Sequence, residues 1–576
     1  MRLKTNYDVG VIPHSEHPRP QARRNAWLCL NGIWDFYKTD GKEKSSVGKI
    51  LVPFSPETLN SGIQEGFVLN PGEKLYYNKK FTVDENLVKG ITLLHFDAVD
   101  SACEVFVNGT LVGTHVGGFT AFTIDVSDAL KLGENEVLLI CQDEATRNSG
   151  ARGKQSDERG GIWYTPQSGI WQSVWLESMP KERIGNFRII PDAINGKVDI
   201  LLDNNLPTQI IVYDGENEII KDEFKTRITL EYDFALWSPE SPKLYDFVLK
   251  NIAGDELYSY FGVRSFGQTI DRNGKARLTL NGKPYFFNGV LDQGYWSDGM
   301  LTYPCDKAAE DELTLLKNMG FNTVRKHIKI EPMRWYYHCD KLGLIVWQDF
   351  VNGGGRYAFT HIAAFPFLGF KHRDNDYKYF AREDEAGRKE YAQSVDETIS
   401  QLCNCTCIGV WVPFNEGWGQ FDSAMWTEYV KGIDSTRIID SVSGWHDQGV
   451  GKTELLSLHT YYTPLRVPKD ARPVVLSEFG GYSMKCDGHV FDENKEFGYK
   501  KFKTKEALIA ALKKLYLEKL SPLIKRGLCA CIYTQVSDVE EEINGLVTYD
   551  RKLVKVSVED MSAINAEITK EANKII

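Results

Sequence analysis

The sequence predicts a multidomain α+β protein in which a jelly-roll β-sandwich and an immunoglobulin-like β-sandwich precede a C-terminal (β/α)8 TIM barrel. Three observations predict it. The first 182 residues read as short apolar or alternating strands without a helical period. Residues 183–269 keep that rhythm over a span suited to a smaller sandwich. From residue 270 to 576 apolar strands alternate with amphipathic helices. A chain of 576 residues is also too long for a single core.

The elements follow in order. In 1–182, KLYYNKKFTV, GITLLHFDAV, CEVFVNGTLVGTHV, FTAFTIDV and NEVLLICQ alternate or run apolar. Asn108-Gly109 is the strongest short-range hairpin signal among their turns. In 183–269 come KVDILLD, QIIVYDG, TRITLEYDF and LYDFVLKN. The barrel strands are PYFFNGVL, NTVRKHI, LIVWQDF, CIGVWVPFNE, RIIDSVSG, LLSLHTYY, PVVLSEFGG and LCACIYTQVSD. AAEDELTLLKNMG and KEALIAALKKLYLEKLSPLIKRG are amphipathic helices between them. GWHDQGVGKTE, after the fifth strand, is loop-like, so that repeat is degenerate.

Composition narrows the function. A formal net charge of −11 argues against a nucleic-acid partner, which wants a basic face. Thirteen Trp and twenty-seven Tyr lean weakly towards ligands with flat apolar faces, sugars among them. No run of about 18 apolar residues signals a membrane span. The N-terminal stretch lacks a signal-peptide h-region, and the cysteines, an odd eleven, lack disulfide-like spacing. Together these give the expectation of a cytoplasmic protein with no membrane partner. Cys403, Cys405 and Cys407 in CNCTC lack zinc-knuckle spacing and read as reduced cysteines, so no metal is expected.

The chemistry is carried by two carboxylates. Glu416 ends the fourth barrel strand in VPFNEGWG, and Glu478 ends the seventh in VLSEFGG. A carboxylate beside a core strand is costly to bury, but a TIM barrel aims strand ends at an open mouth. Either residue alone can be a barrel salt-bridge partner. Two of them meeting across a mouth form the pair that glycoside hydrolysis requires.

At these residues the chain resembles glycoside hydrolase family 2, the family of β-galactosidases, β-glucuronidases and β-mannosidases. LNGIWDF, FVNGTLVGTHVGGF and GIWQSVWLE look like its sugar-binding sandwich, and GVRSFG looks like the lead-in to its barrel. The most specific matches are the Asn-Glu of FNEGWG and the SEFGG segment. The resemblance implies Glu416 as acid/base and Glu478 as nucleophile of a retaining enzyme without a cofactor. It also implies Asn415 as the partner of the hydroxyl beside the anomeric carbon, Tyr461 as a phenol tuning the nucleophile, and Arg325 as the charge that keeps Glu478 ionised. His459 falls where the family places a polar sugar contact. His327 reads equally as a structural histidine or a site residue, and Trp445 and Trp418 as stacking platforms or core. Family members often form oligomers, and the two sandwiches offer surface for that.

Departures from the family pattern bear on the sugar. GVLDQGYWSDG puts Asp292 and Gln293 where the strand-one motif usually reads Gly-Val-Asn-x-His-Glu. Strand eight ends in Tyr533 where many members carry Trp. EEINGLVTYDRK lacks the Asn-x-Lys with which β-glucuronidases grip a carboxylate, which disfavours that activity. The expectation is therefore an exo-glycosidase of β-galactosidase type, with an α-L-arabinofuranosidase or β-galactofuranosidase as the alternative if Asp292 binds sugar hydroxyls. A catalytically silent glycan-binding protein is the rival outside enzymes, and the intact glutamate pair argues against it. Residues 352–389 are too long for an ordinary loop and read as a wall of the pocket. RGKQSDERGGIWYTPQSG, with Trp163, is a second candidate wall or a solvent loop.

Overall fold

The computed structural model describes residues 3–39, 44–144 and 149–574. Its first unit is an antiparallel sandwich. A six-stranded sheet runs in the order 44–52, 32–39, 74–83, 133–142, 102–107, 110–116, and a four-stranded sheet in the order 27–29, 174–179, 91–96, 122–125. Alternation builds it: along Lys74–Val83 the side chains of Leu75, Tyr77, Phe81 and Val83 turn inward. They meet Leu94, Phe96, Val174 and Leu176 of the facing sheet in one core. Asn108 and Gly109 both take positive φ, 50° and 82°, as the tight turn between 102–107 and 110–116 requires.

The second sandwich pairs a three-stranded sheet (187–192, 197–202, 227–231) with a four-stranded one (217–224, 208–214, 245–251, 256–261). Ile189, Val198 and Ile200 of one sheet pack on Val212, Phe247 and Phe261 of the other. A short antiparallel sheet from Phe266 to Pro284 then leads into the barrel.

Eight parallel strands form the barrel: β1 (Phe287–Asp292), β2 (Thr323–Lys326), β3 (Ile345–Asp349), β4 (Ile408–Val412), β5 (Ile438–Ile439), β6 (Leu456–Thr460), β7 (Val474–Gly480) and β8 (Leu528–Thr534). Among the described residues, six α-helices longer than two turns flank them: α1 (Asp306–Asn318), α2 (Met333–Leu342), α3 (Glu385–Leu402), α4 (Ser423–Ile433), α5 (Lys505–Lys513) and α6 (Val558–Asn573). After β5 the chain returns through a loop, in keeping with the loop-like GWHDQGVGKTE. The chain also returns without a helix after β6, where Pro464, Pro468 and Pro473 exclude one.

The ladder runs β5-β4-β3-β2-β1-β8-β7-β6 and stops there, since β5 and β6 share no backbone pairing among the described residues. Side chains close that seam. Ser457 Oγ donates to Asp440 Oδ2 at 2.8 Å, and Ser443 Oγ, 3.0 Å from His459 Nε2, donates to Ser477 Oγ at 2.9 Å. No helix among the described residues is long and apolar enough to cross a membrane.

Candidate active site

Local backbone chemistry explains how Glu416 reaches the mouth. Pro413 has no N–H to lend the ladder and interrupts the strand after Val412. Pairing resumes over Phe414–Asn415, now against Val442–Ser443. Glu416 then donates its N–H to Ser443 O at 2.9 Å with φ at 48°, a left-handed conformation uncommon outside glycine. The turn swings its side chain over the barrel axis. Glu478 arrives more simply, within β7.

The two glutamates meet. A carboxylate oxygen of each and a ring nitrogen of His459 lie within 4.8 Å of one another. His459 Nδ1 is 2.7 Å from Glu416 Oε1, and its Nε2 is 3.5 Å from Glu478 Oε1. The imidazole reaches both because Gly444 (φ 88°) leaves room; a Cβ there would stand 2.6 Å from the ring. These three groups are also the set that could share a cation.

Glu478 is gripped on both sides. Arg325 Nη1 donates to its Oε1 at 3.2 Å and Tyr461 Oη to its Oε2. Burial alone would raise its pKa, but His459, Arg325 and the Tyr461 hydrogen bond outweigh that and hold it below the usual carboxylate value. Glu416 goes the other way. Burial, reinforced by the charge of Glu478, lifts its pKa against the opposing pull of His459 and Lys154.

Arg325 organises the floor of the site. It bonds Asp349 through Nε (3.0 Å) and Nη2 (2.9 Å), and Nη2 also donates to Asn415 Oδ1 at 2.8 Å. Asn415 Nδ2 is buried and makes no hydrogen bond. His327 Nδ1 sits 2.8 Å from Asp349 Oδ2, and burial together with the charges of Lys154 and Arg325 holds that imidazole well below its ordinary pKa.

Asn415, Glu416, Glu478, Arg325, His327, His459 and Tyr461 are therefore brought together. Trp445 packs at the rim, 5.6 Å from the His459 ring, with its Nε1 buried and unbonded. Trp418 is buried beside His327 at 6.1 Å. Gln293 donates to Gln535 at 2.8 Å, in a buried chain that continues through Asn544 and Glu542 to Tyr164 of the first sandwich.

Two expectations need correction. Asp292 does not face a ligand: Lys326 Nζ bonds its Oδ2 at 2.5 Å and the Gly294 N–H its Oδ1 at 2.7 Å, leaving it 1% exposed. Strand alternation is the reason, because Lys326 points into the barrel wall while its neighbour Arg325 points inward. Tyr533 is also turned away, packed on Phe479 and Tyr516 with its hydroxyl against the Tyr482 backbone. The next residue, Thr534, takes the inward place, 3.0 Å from the Tyr461 hydroxyl.

Sequence reasoning missed Asp349, Thr534, Tyr499 and Lys154. Asp349 was signalled by a charge ending an apolar strand, as Glu416 was. Tyr499 stacks on Tyr461 at 3.7 Å from a stretch with no periodic pattern, so nothing announced it. Two long segments reach the aromatic residues of the site. Phe367 meets Trp445 at 5.0 Å, and Trp163 of the first sandwich meets Trp418 at 5.0 Å.

The chain matches the family models for glycosyl hydrolases family 2, sugar binding domain, over residues 57–180, and glycosyl hydrolases family 2, TIM barrel domain, over residues 273–559. A β-galactosidase from Thermoanaerobacter pseudethanolicus is 24% identical over 368 residues, which cover 60% of this chain and 45% of that protein. The chain spans less than half the length of the first curated relatives it matches. A β-galacturonidase structure from Eisenbergiella tayi superposes with a TM-score of 0.70 at 18% identity, covering 96% of this chain and 98% of that one. A β-D-glucuronidase from Dictyoglomus thermophilum gives 0.73 at 17%, covering 97% and 99%. At such identities these structures share the fold.

Proposed function

Because the chain belongs to glycoside hydrolase family 2, we propose that it removes a terminal β-linked sugar from a glycoside by double displacement, with retention of configuration. The separation of Glu416 and Glu478 carries this reading. Retaining enzymes hold their two carboxyl groups roughly 5–5.5 Å apart and inverting enzymes roughly 6.5–9.5 Å, to admit a water. Oxygens within 4.8 Å fit the former.

Their environments divide the labour. Glu478, kept ionised, attacks the anomeric carbon while Glu416, whose proton is retained to higher pH, gives that proton to the departing oxygen. The glycosyl-enzyme ester is then cleaved by water, from which the now ionised Glu416 takes a proton. The unbonded Nδ2 of Asn415 is the donor suited to the hydroxyl beside the anomeric carbon. The aromatic walls favour a closed pocket, hence exo action on a terminal residue.

For the sugar, the β-galactosidase-type expectation no longer stands alone. The relatives' names, β-galactosidase, β-galacturonidase and β-glucuronidase, extend it to hexuronic acids. The furanosidase alternative loses its support, since it rested on Asp292. The test is p-nitrophenol release from a panel of aryl β-glycosides, with the anomer of the first product read by NMR. Turnover giving the β-anomer and abolished in Glu478→Ala is expected. An α-anomer as first product, or binding without any turnover, would sink the reading.

A further inference from the structure

Lys154 takes no part in the bond-making and bond-breaking steps proposed above, yet its placement is unusual. It belongs to a loop of the first sandwich that lies over the barrel mouth. Its flanks are clamped there: the Arg152 N–H bonds Asn352 O at 3.0 Å, Arg152 Nη2 bonds Gly355 O at 2.9 Å, and Gln155 Nε2 bonds Asp100 at 2.8 Å. The Lys154 carbonyl accepts from the Tyr164 N–H at 3.0 Å, which fixes the backbone itself. The residue is 5% exposed. Its ammonium lies 5.3 Å from the Trp418 ring and 5.5 Å from the Tyr164 ring. It makes no hydrogen bond or ion pair with any described residue. It is nevertheless near enough to the chemistry for its charge to act on both Glu416 and His327.

An ammonium on so enclosed a residue, with aromatic faces beside it and no anion, is poorly compensated, because cation–π attraction replaces a small part of the hydration it loses. Elsewhere in this barrel buried lysines are paired: Lys326 with Asp292 and Glu331, Lys329 with Glu331, Lys555 with Asp538. Lys154 alone among these aims its charge at the substrate space. We propose that Lys154 is a specificity-determining residue that pairs with an anionic substituent, a carboxylate or a sulfate ester, on the sugar bound at the glutamate pair. The strand-eight segment without the Asn-x-Lys spacing is then no argument against an acidic sugar. In this chain the cation comes from the other domain. The inference rests on the glycosidase reading for its site and adds the charge class of the substrate.

The test compares wild type, Lys154→Met and Lys154→Arg on four p-nitrophenyl glycosides: β-D-galacturonide, β-D-glucuronide, 6-sulfo-β-D-galactoside and the uncharged β-D-galactoside. Wild type should prefer one anionic substrate, and which one separates carboxylate from sulfate. In Lys154→Met the ratio of kcat/KM on that substrate to kcat/KM on the galactoside should fall on the order of 10- to 100-fold, the range for a charged hydrogen bond. Lys154→Arg should restore part of it. A wild type that prefers the uncharged galactoside overturns the proposal. So does an unchanged ratio in Lys154→Met with the basic limb of the pH profile moved upward, which would mean that Lys154 only tunes Glu416. If nothing is turned over, calorimetry with free galacturonate, glucuronate and galactose 6-sulfate on Glu478→Gln separates the two readings. Binding lost in the added Lys154→Met keeps the inference and removes the hydrolase; no binding removes the inference.

Discussion

Glu416 and Glu478 carry the same functional group, and their surroundings pull them apart. On the mechanism proposed above, the expected consequence is a bell-shaped pH dependence of kcat/KM. Glu478 must be ionised, and since its pKa is depressed the acid limb lies below the ordinary Glu value of about 4.3. Glu416 must hold its proton, and since its pKa is raised the basic limb lies above that value. Tyr461→Phe removes a hydrogen bond that favours the ionised nucleophile, so the acid limb should move upward, with kcat falling on the order of 10-fold. An unmoved limb would deny Tyr461 that role. Arg325→Met would leave Asp349 and Glu478 buried without their cation, at a cost of about 3–5 kcal/mol. Urea unfolding measures it. At this scale the sequence was legible where a carboxylate ended an apolar strand. It was illegible where one residue of register decides: Tyr533 and Asp292 sit on the right strands but face the wrong side, and strand identity alone does not tell inward from outward when both faces are buried.

Elements were read from periodicity, which served the eight strands and the two helices named from the sequence well. It gave no warning that β6 is followed by a loop, although the prolines of that stretch did. What holds the two helix-free connections is charge. Arg472 bonds Asp447 at 2.8 and 3.1 Å and Asp470 at 2.9 Å, and donates to Leu455 O at 3.2 Å. Burial tends to raise the pKa of Asp447, but Arg472 lowers it to about 2. Because the folded value is depressed, this stabilisation is present above the unfolded value of about 3.9 and is lost as pH falls towards 2. Arg472→Met should cost about 3 kcal/mol at neutral pH and flatten the acid dependence of stability below pH 4. Chemical denaturation at pH 7 and pH 3 checks both; equal losses at the two pH values would contradict the linkage.

Across the whole molecule the sandwiches are not ornaments on a barrel. Ala98, Phe119, Tyr164 and Trp171 of the first sandwich and Trp237 of the second belong to the same apolar cluster as the barrel strands. Trp171 is fully buried and donates its Nε1–H to Gly118 O at 2.8 Å. Trp171→Ala should cost about 3–5 kcal/mol, and scanning calorimetry should show sandwich and barrel melting together in wild type. Separate transitions, with activity following the barrel alone, would contradict that coupling.

The seam between β5 and β6 has its own consequence. Backbone ladders are nearly blind to sequence, since every residue but proline brings the same N–H and C=O. Where Ser443, Ser457, Asp440 and Ser477 stand in for a ladder, closure of the ring is written in side chains instead. A single Ser457→Ala could loosen the wall there, whereas an alanine in mid-ladder would leave the backbone pairing untouched. His459, which spans both glutamates, is mounted on that one stretch of wall, so drift in a few serines would reach Glu416 and Glu478 without altering either of them.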